Sequence, residues 1–370
     1  MCIKTITYCL MHLKTRKVYN EFICFTENNI MRKQPVKILL SLDYEIFFGK
    51  HCGSVEHCII KPTELLLAIL DKYNYKMSLF VDAGFLLQLK NQAVKYPQLT
   101  SQYQQIKQQL LQLSSQGHDI QLHIHPHWQD SYYNGETWEI NTERYRLHDF
   151  DQQEINQIVK DYKQELESCS EQPIFAFRAG GWCLQPFTKI KQALKENGIW
   201  LDSTVFSDGH SDDPTRWFDF KNMPQQSYWH FEDDPLTPKK EGYFTELPIS
   251  ATKTSPLFFW KLALRKKFAS HLFTPFSDGQ SMRASRSYYI ERLTKTTYGP
   301  VMIDGLKAGQ LEQAYREHLK QADEKAIFNA MGHPKTLSPY SLMKLEAFIK
   351  AHQELHSVTY QDLLDLKNKQ

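Results

Sequence analysis

The chain has no CxxC pair, and its seven cysteines (Cys2, Cys9, Cys24, Cys52, Cys58, Cys169 and Cys183) are odd in number and irregular in spacing. That pattern suggests neither a thiolate zinc site nor a disulfide framework; free thiols in a reducing compartment are expected. No stretch approaches about eighteen uninterrupted apolar residues, so no spanning helix is expected. The opening MCIKTITYCLMHLKTRK lacks an apolar core of signal-peptide length and a small-residue cleavage site, which points to a cytoplasmic location. Charge of one sign is also missing. With 44 Lys and Arg against 42 Asp and Glu, the net charge is only +2, and without a basic tract there is no electrostatic footprint for nucleic acid. Gly180-Gly181 belongs to neither a GxGxxG nor a GxxxxGK pattern, so no phosphate loop is read there.

What is present is a soluble globular composition, 41% hydrophobic and 23% charged over 370 residues, enough chain for one large core. Strand and helix signals alternate. VKILLSLD (36–43) and MSLFVD (77–82) are continuous apolar runs suited to strands covered on both faces. PTELLLAILDKY (62–73) reads as a helix opened by proline, and Tyr103, Ile106, Leu110 and Leu113 recur at helical spacing until Gly117. Ile120, Leu122 and Ile124 alternate with polar residues as a strand that Pro126 ends. A helical stripe at 155–166, a strand at 174–177, a helix at 187–197 and a strand at 199–205 continue the rhythm. The β-α-β-α order with short connections predicts a parallel α/β sheet or barrel. Residues 1–30 are poorly patterned and read as a disordered or peripheral extension, with Met31 a possible start. Residues 31–370 read as one domain, with 207–300 a loop-rich insertion.

In such folds chemistry gathers at strand ends, and the strand ends here are polar. They offer Asp43 and Glu45, then His123 to His127, Arg178, Asp202 and finally His333. Asp43 and Glu45, two apart on a strand, point to one side; their mutual repulsion calls for a cation or an arginine, unless they are merely a solvated terminus. The segment GHDIQLHIHPHW (117–128) places three histidines in five positions. His123 and His127, four apart, can converge on one ion where a strand bends, although a lone histidine is more often a satisfied core or surface residue. His125 is expected to alternate with them or oppose them and to face substrate or stand behind the ligands. One carboxylate and two imidazoles leave positions open for water, which suits a catalytic metal rather than a structural one. A base carboxylate and a separate histidine then complete an inventory for amide or ester hydrolysis.

GHDIQLHIHPH, together with LLSLDYE, KMSLFVDAG, FRAGGW, GIWLDSTVF and MGHP in that order, resembles the polysaccharide deacetylases of the NodB-homology type, carbohydrate esterase family four. The resemblance runs discontinuously from about residue 36 to 335. It implies a distorted (β/α) barrel of about seven parallel strands. It implies Asp43 as general base, His333 as general acid and Glu45, His123 and His127 as metal ligands. Arg178 would hold the base carboxylate, and Asp202 would stand behind the site. Tyr44 stands between the two acids, so the metal carboxylate is Glu45, or else Asp43 with the base role unfilled. RAGGW carries glycines where the family has two prolines, which alters that loop. The implied activity is metal-dependent N-deacetylation of an N-acetylated sugar, a nucleotide sugar or a lipid-linked glycan. The ion is expected to be zinc, with cobalt or nickel comparable for this ligand set. Other readings are an amidohydrolase of a non-sugar amide and a non-catalytic carbohydrate-binding relative, which would have no need of Asp43, Arg178 and His333 together.

Residues 256–273, PLFFWKLALRKKFASHLF, form a basic amphipathic pattern in which Lys261 and Arg265 share a face while Phe258, Leu262 and Phe268 can lie on another. Such a helix either packs on the barrel with a solvated basic edge or rests peripherally on an anionic inner-membrane surface. Trp217, Tyr228 and Trp229 can stack on sugar rings or anchor loops.

Overall fold

The apolar run at 36–43 becomes β1 (Lys37–Tyr44), buried at every position after Lys37 because neighbours cover both of its faces and edges. The computed structural model describes residues 36–281, 286–321 and 326–368. The expected extension at 1–30 and Cys2, Cys9 and Cys24 lie outside the described residues. β1 is followed by α1 (Lys61–Lys72), β2 (Ser78–Asp82), α2 (Ala83–Gln92), α3 (Gln98–Ser115), β3 (Asp119–Ile124), α4 (Gln152–Glu167), β4 (Ala176–Ala179), α5 (Lys191–Glu196) and β5 (Leu201–Asp202). Then come β6 (Trp229–Phe231), β7 (Phe244–Glu246), α6 (Pro256–Phe268), α7 (Arg286–Thr294), α8 (Leu311–Gln321), β8 (Ile327–Gly332), α9 (Pro339–Ala351) and β9 (His356–Val358). The helical stripe at 155–166 is buried as its spacing requires. A capping box opens α4: Glu154 N–H donates to Asp151 Oδ1 at 2.8 Å and Asp151 N–H to Glu154 Oε2 at 3.0 Å, satisfying donors that a helix start leaves orphaned.

The main sheet runs β6-β7-β5-β4-β3-β2-β1-β8, with β9 beside the first half of β1. Every pairing is parallel except β6 with β7. Beyond β7 the chain continues along β5, Ile249 N–H donating to Val205 O at 2.8 Å, and reaches β8, where Ser250 N–H donates to Asn329 O at 2.9 Å. The strands β1, β2, β3, β4, β5, β7 and β8 thus form the staves of a distorted barrel, as expected. The segment read as a loop-rich insertion supplies one of them, β7. Its three residues are too short to carry a periodic signal.

The barrel floor is made by the C-terminal segment. Tyr360, Leu363 and Leu366 pack with Leu39, Phe80 and Trp200 in one buried cluster, and the Tyr360 ring meets Phe80 edge-on at 5.1 Å. Burial of an aromatic ring of this size contributes at most about 4–6 kcal/mol. Above that floor lies a polar layer of Ser41, Arg178, Ser203 and Asn329, all fully buried. The opposite end of the barrel, where the parallel strands finish, carries the residues considered next. No helix among the described residues is long and apolar enough to cross a membrane, and Cys52, Cys58, Cys169 and Cys183 are free.

Candidate active site

Alternation along β1 sends Tyr44 outward, where its hydroxyl donates to Gln109 Oε1 of α3 at 2.7 Å, and sends Asp43 and Glu45 inward. Both acids are buried, each 5% exposed, which is costly unless opposite charge meets them. It does. Arg178 Nη1 donates to Asp43 Oδ1 at 2.7 Å, while its Nη2 donates to Ser41 Oγ at 2.9 Å and Nε to Ser203 O at 2.8 Å. The guanidinium lies on the Phe80 ring at 4.0 Å and is wholly buried. Burial alone raises the Asp43 carboxyl, but Arg178, then His123 and His333, overcome it and hold the group below its ordinary value. Glu45 is held by Lys335, whose Nζ donates to Oε1 at 2.9 Å and to Ile46 O at 2.8 Å. Burial is again the largest influence and acts upward, yet Lys335, His125 and His123 keep Glu45 well below its usual range.

The histidines divide differently from expectation. Ligand atoms of Glu45, His123 and His125 all lie within 4.8 Å of one another; His127 is not in that group. Residues 123 and 125 lie two apart on extended backbone, with His125 at φ −109° and ψ 91°, so they share a face. Pro126 then starts a 3₁₀ turn that turns His127 into an aromatic pocket, its ring still 5.3 Å from that of His125. There its ring stacks on Tyr145 at 5.5 Å and Trp128 at 5.4 Å, with Phe48 edge-on at 4.6 Å. Burial pushes His127 well below its ordinary pKa. The placement of His125 opposite its neighbours, and of His127 beside His123, does not hold here because the bend comes after His125 and not before it.

Three observations bear on whether these side chains suit a cation. His123 Nδ1 donates to Arg178 O at 2.9 Å, which leaves Nε2 as the free lone pair of the neutral ring. That Nε2 is buried without a hydrogen-bond partner, as are both ring nitrogens of His127. It lies 3.5 Å from Glu45 Oε2, and His125 Nε2 is 2.7 Å from the same oxygen. Two imidazoles and one carboxylate converging this closely fit a divalent ion of the zinc, cobalt or nickel kind. Burial lowers both rings, and in His125 it wins, bringing the group down to about 4. In His123 the carboxylates of Asp43, Glu45 and Asp82 outweigh it and the pKa rises.

His333 follows β8 and is more accessible, its side chain 17% exposed. Its Nε2 stands 3.7 Å from Asp43 Oδ2, and its Nδ1 donates to Asp304 Oδ2 at 2.9 Å. Asp304 also accepts from the His333 N–H at 2.7 Å and from the Thr336 hydroxyl. Burial acts to lower His333, but Asp304, Asp43 and Glu45 raise it on balance. Neither Asp304 nor Lys335 was singled out from sequence; the signals were an acid before Gly305 at a strand-like end and a lysine two residues beyond the MGHP histidine. Asp82 was also passed over. It ends β2, accepts from Trp128 Nε1 at 2.6 Å, and is raised to about 7 by burial and by Glu45.

Asp202 is not brought to this cluster. It registers with Phe177, the neighbour of Arg178 on β4, and so faces away from the barrel interior that Arg178 enters. Its partner is Glu246, alongside it on β7. Burial raises both carboxyls, Glu246 most, and Asp202 adds to that rise. Two buried acids this close share a proton. Thr204 supplies Asp202 with donors from N–H at 3.1 Å and Oγ1 at 2.8 Å. Trp229 is buried and donates from Nε1 to Pro235 O at 2.7 Å, an anchor for its loop, whereas Trp217 is 39% exposed.

No family model matches the chain, and no curated protein matches it. Solved structures that resemble it include a protein of Mycobacterium smegmatis provisionally described as a polysaccharide deacetylase, at 13% identity and a TM-score of 0.45, covering 91% of this chain and 94% of that one. A mutant of the peptidoglycan deacetylase PdaC from Bacillus subtilis matches at 10% identity and 0.34, over 91% and 94%. A 4-alpha-glucanotransferase from Thermococcus litoralis matches at 13% and 0.46, over 90% of this chain but 40% of that one. Polysaccharide deacetylases are thus among the structures it resembles. At these identities and scores the likeness carries no argument about activity, which has to come from the site.

Proposed function

We propose that this chain is a hydrolase that removes an N-acetyl group from an acetylated sugar, with a divalent cation held by Glu45, His123 and His125. One relationship carries the reading. Asp43 and His333 face each other beside that ligand group, and each is fixed from behind by opposite charge, Asp43 by Arg178 and His333 by Asp304. A binding module has no use for that arrangement. The ion, when bound, supplies a Lewis acid that polarises a carbonyl and acidifies water.

The residues of the chain do the rest. Asp43, ionised beside Arg178, accepts the proton of the attacking water. His333, protonated and aligned by Asp304, donates to the departing amine. The C–N bond breaks, a C–O bond forms, and acetate and a free amino sugar leave. Lys335 keeps Glu45 ionised and turned toward the histidines. Asp202, facing away with Glu246, takes no part in these steps.

The test is acetate release from N-acetyl sugars, nucleotide sugars, lipid-linked glycans and simple amides, with and without chelator, beside Asp43→Asn and His123→Ala. Release from a sugar that both substitutions and chelation abolish is the expected result; release surviving both substitutions would falsify the mechanism. Turnover of simple amides alone moves the assignment to a non-sugar amidohydrolase, and sugar binding without turnover moves it to a carbohydrate-binding protein.

A further inference from the structure

The helix pair α6 and α7 has an apolar surface that the core does not use. The inner face of α6 packs through Phe258 and Leu262 against Phe273, Tyr340 and Leu306. That matches the barrel-packing alternative for Phe258 and Leu262, but Phe268, expected on the same face, lies outside it. A second apolar stripe remains outside. Leu257, Trp260, Leu264 and Phe268 are 59%, 54%, 61% and 84% exposed. At 100° per residue these four positions fall within about 80° of arc, on the side away from Leu262. Tyr289 and Ile290 of α7, 55% and 51% exposed, belong to the helix that Trp260 reaches by donating from Nε1 to Leu293 O at 3.2 Å.

Exposed apolar side chains scattered singly need no explanation; a row of four on one helix does. The charges beside the row select its partner. By helical position Lys261 lines one edge of the stripe and Lys267 the other, both exposed, while Arg265 reaches toward Tyr340 on the inner side. In sequence the two helices hold Lys261, Arg265, Lys266, Lys267, Arg286 and Arg292 against a single acid, Glu291, in a chain whose net charge is only +2. Leucine and aromatic side chains flanked by lysine and arginine match the boundary between acyl chains and anionic headgroups.

We infer that the outer face of α6, with α7 beside it, seats the protein on an anionic bilayer surface without crossing it. The inner face of the same helix touches Leu306, two residues past Asp304, and Tyr340, on the helix that follows Lys335. The seat is therefore built on the segments that carry Asp304 and Lys335, the residues that hold His333 and Glu45. The inference stands on the exposed stripe and its charges and does not depend on the hydrolase reading.

Co-sedimentation of the full chain with phosphatidylcholine vesicles, with and without about 30% phosphatidylserine, tests it. Binding is expected only with phosphatidylserine, weakening as salt is raised. Leu264→Ser with Phe268→Ser is expected to lower partitioning at least tenfold, roughly the effect of removing two inserted apolar side chains. Lys261→Glu with Lys267→Glu is expected to do the same through charge. Unchanged circular dichroism melting establishes that the variants fold, and acetate release in detergent-free buffer is expected to persist. Absence of vesicle binding overturns the inference, as does binding that both double variants retain. A concentration-dependent dimer abolished by the serine variant overturns it too, by giving the stripe to a second copy of the chain.

Discussion

Arg178 and Asp43 form an ion pair inside the barrel, 2.7 Å from Nη1 to Oδ1, with the guanidinium 0% exposed and the carboxylate side chain 7% exposed. Such a pair is not a cheap source of stability, since both groups lose water. Its cost is justified by what it does to Asp43, keeping a buried acid ionised at the mouth of the site. Removing one partner strands the other. Arg178→Met is expected to destabilise the fold by about 3–5 kcal/mol in urea unfolding, and Arg178→Met with Asp43→Asn by distinctly less. Equal losses in the two variants would show that the pair is not coupled. Because Asp43 is depressed, its contribution is present above the ordinary carboxylate range and fades as pH falls through its folded value.

Metal retention separates His125 from His127. His125→Ala is expected to weaken zinc or cobalt binding more than about a hundredfold in titration calorimetry, since it removes a direct ligand. His127→Ala is expected to change affinity less than about tenfold, and to cost stability through the lost stacking on Tyr145 and Trp128. The reverse ranking would return the ligand role to His127.

Asp304 raises His333. In the proposed reaction His333 must carry a proton, so activity falls as pH rises through its pKa. Asp304→Asn is expected to lower that pKa, moving the alkaline limb of the kcat/KM profile to lower pH and reducing the plateau by about ten- to hundredfold. An alkaline limb that stays in place would detach Asp304 from the acid.

Glu246 and Asp202 carry raised pKa values. A carboxyl raised in the folded state stabilises fully below its unfolded pKa and loses that contribution as pH rises through the folded value. Relative to Glu246→Gln, whose amide donates without ionising, the protein is expected to lose melting temperature as pH rises above the ordinary carboxylate range, since only the protein carries the raised Glu246. Parallel curves for the two proteins would rule out proton sharing between these strands.

The parallel barrel was legible in the sequence because buried strands announce themselves. VKILLSLD and MSLFVD are apolar throughout, and the α4 stripe has the helical period over its whole length. One stave was not legible: β7 has three residues, below the length at which any period can repeat, whereas the two residues of β5 lie within the strand expected at 199–205. Asp43 and Glu45 were readable as an inward pair because strand alternation is local.

Other features needed tertiary structure. Which histidine joins Glu45 depends on where the chain bends around Pro126 and on the pocket of Phe48, Trp128 and Tyr145 that receives His127. Asp304 reaches His333 across 29 residues, Lys335 reaches Glu45 across 290 and Arg178 reaches Asp43 across 135. No local pattern encodes such meetings. The sequence by itself determined the strand-ending chemistry: acids, imidazoles and a guanidinium at successive ends of parallel strands. Only the curl of the sheet settled which of them meet, since its curvature sets which side chains converge at one end and which, like Asp202, face away.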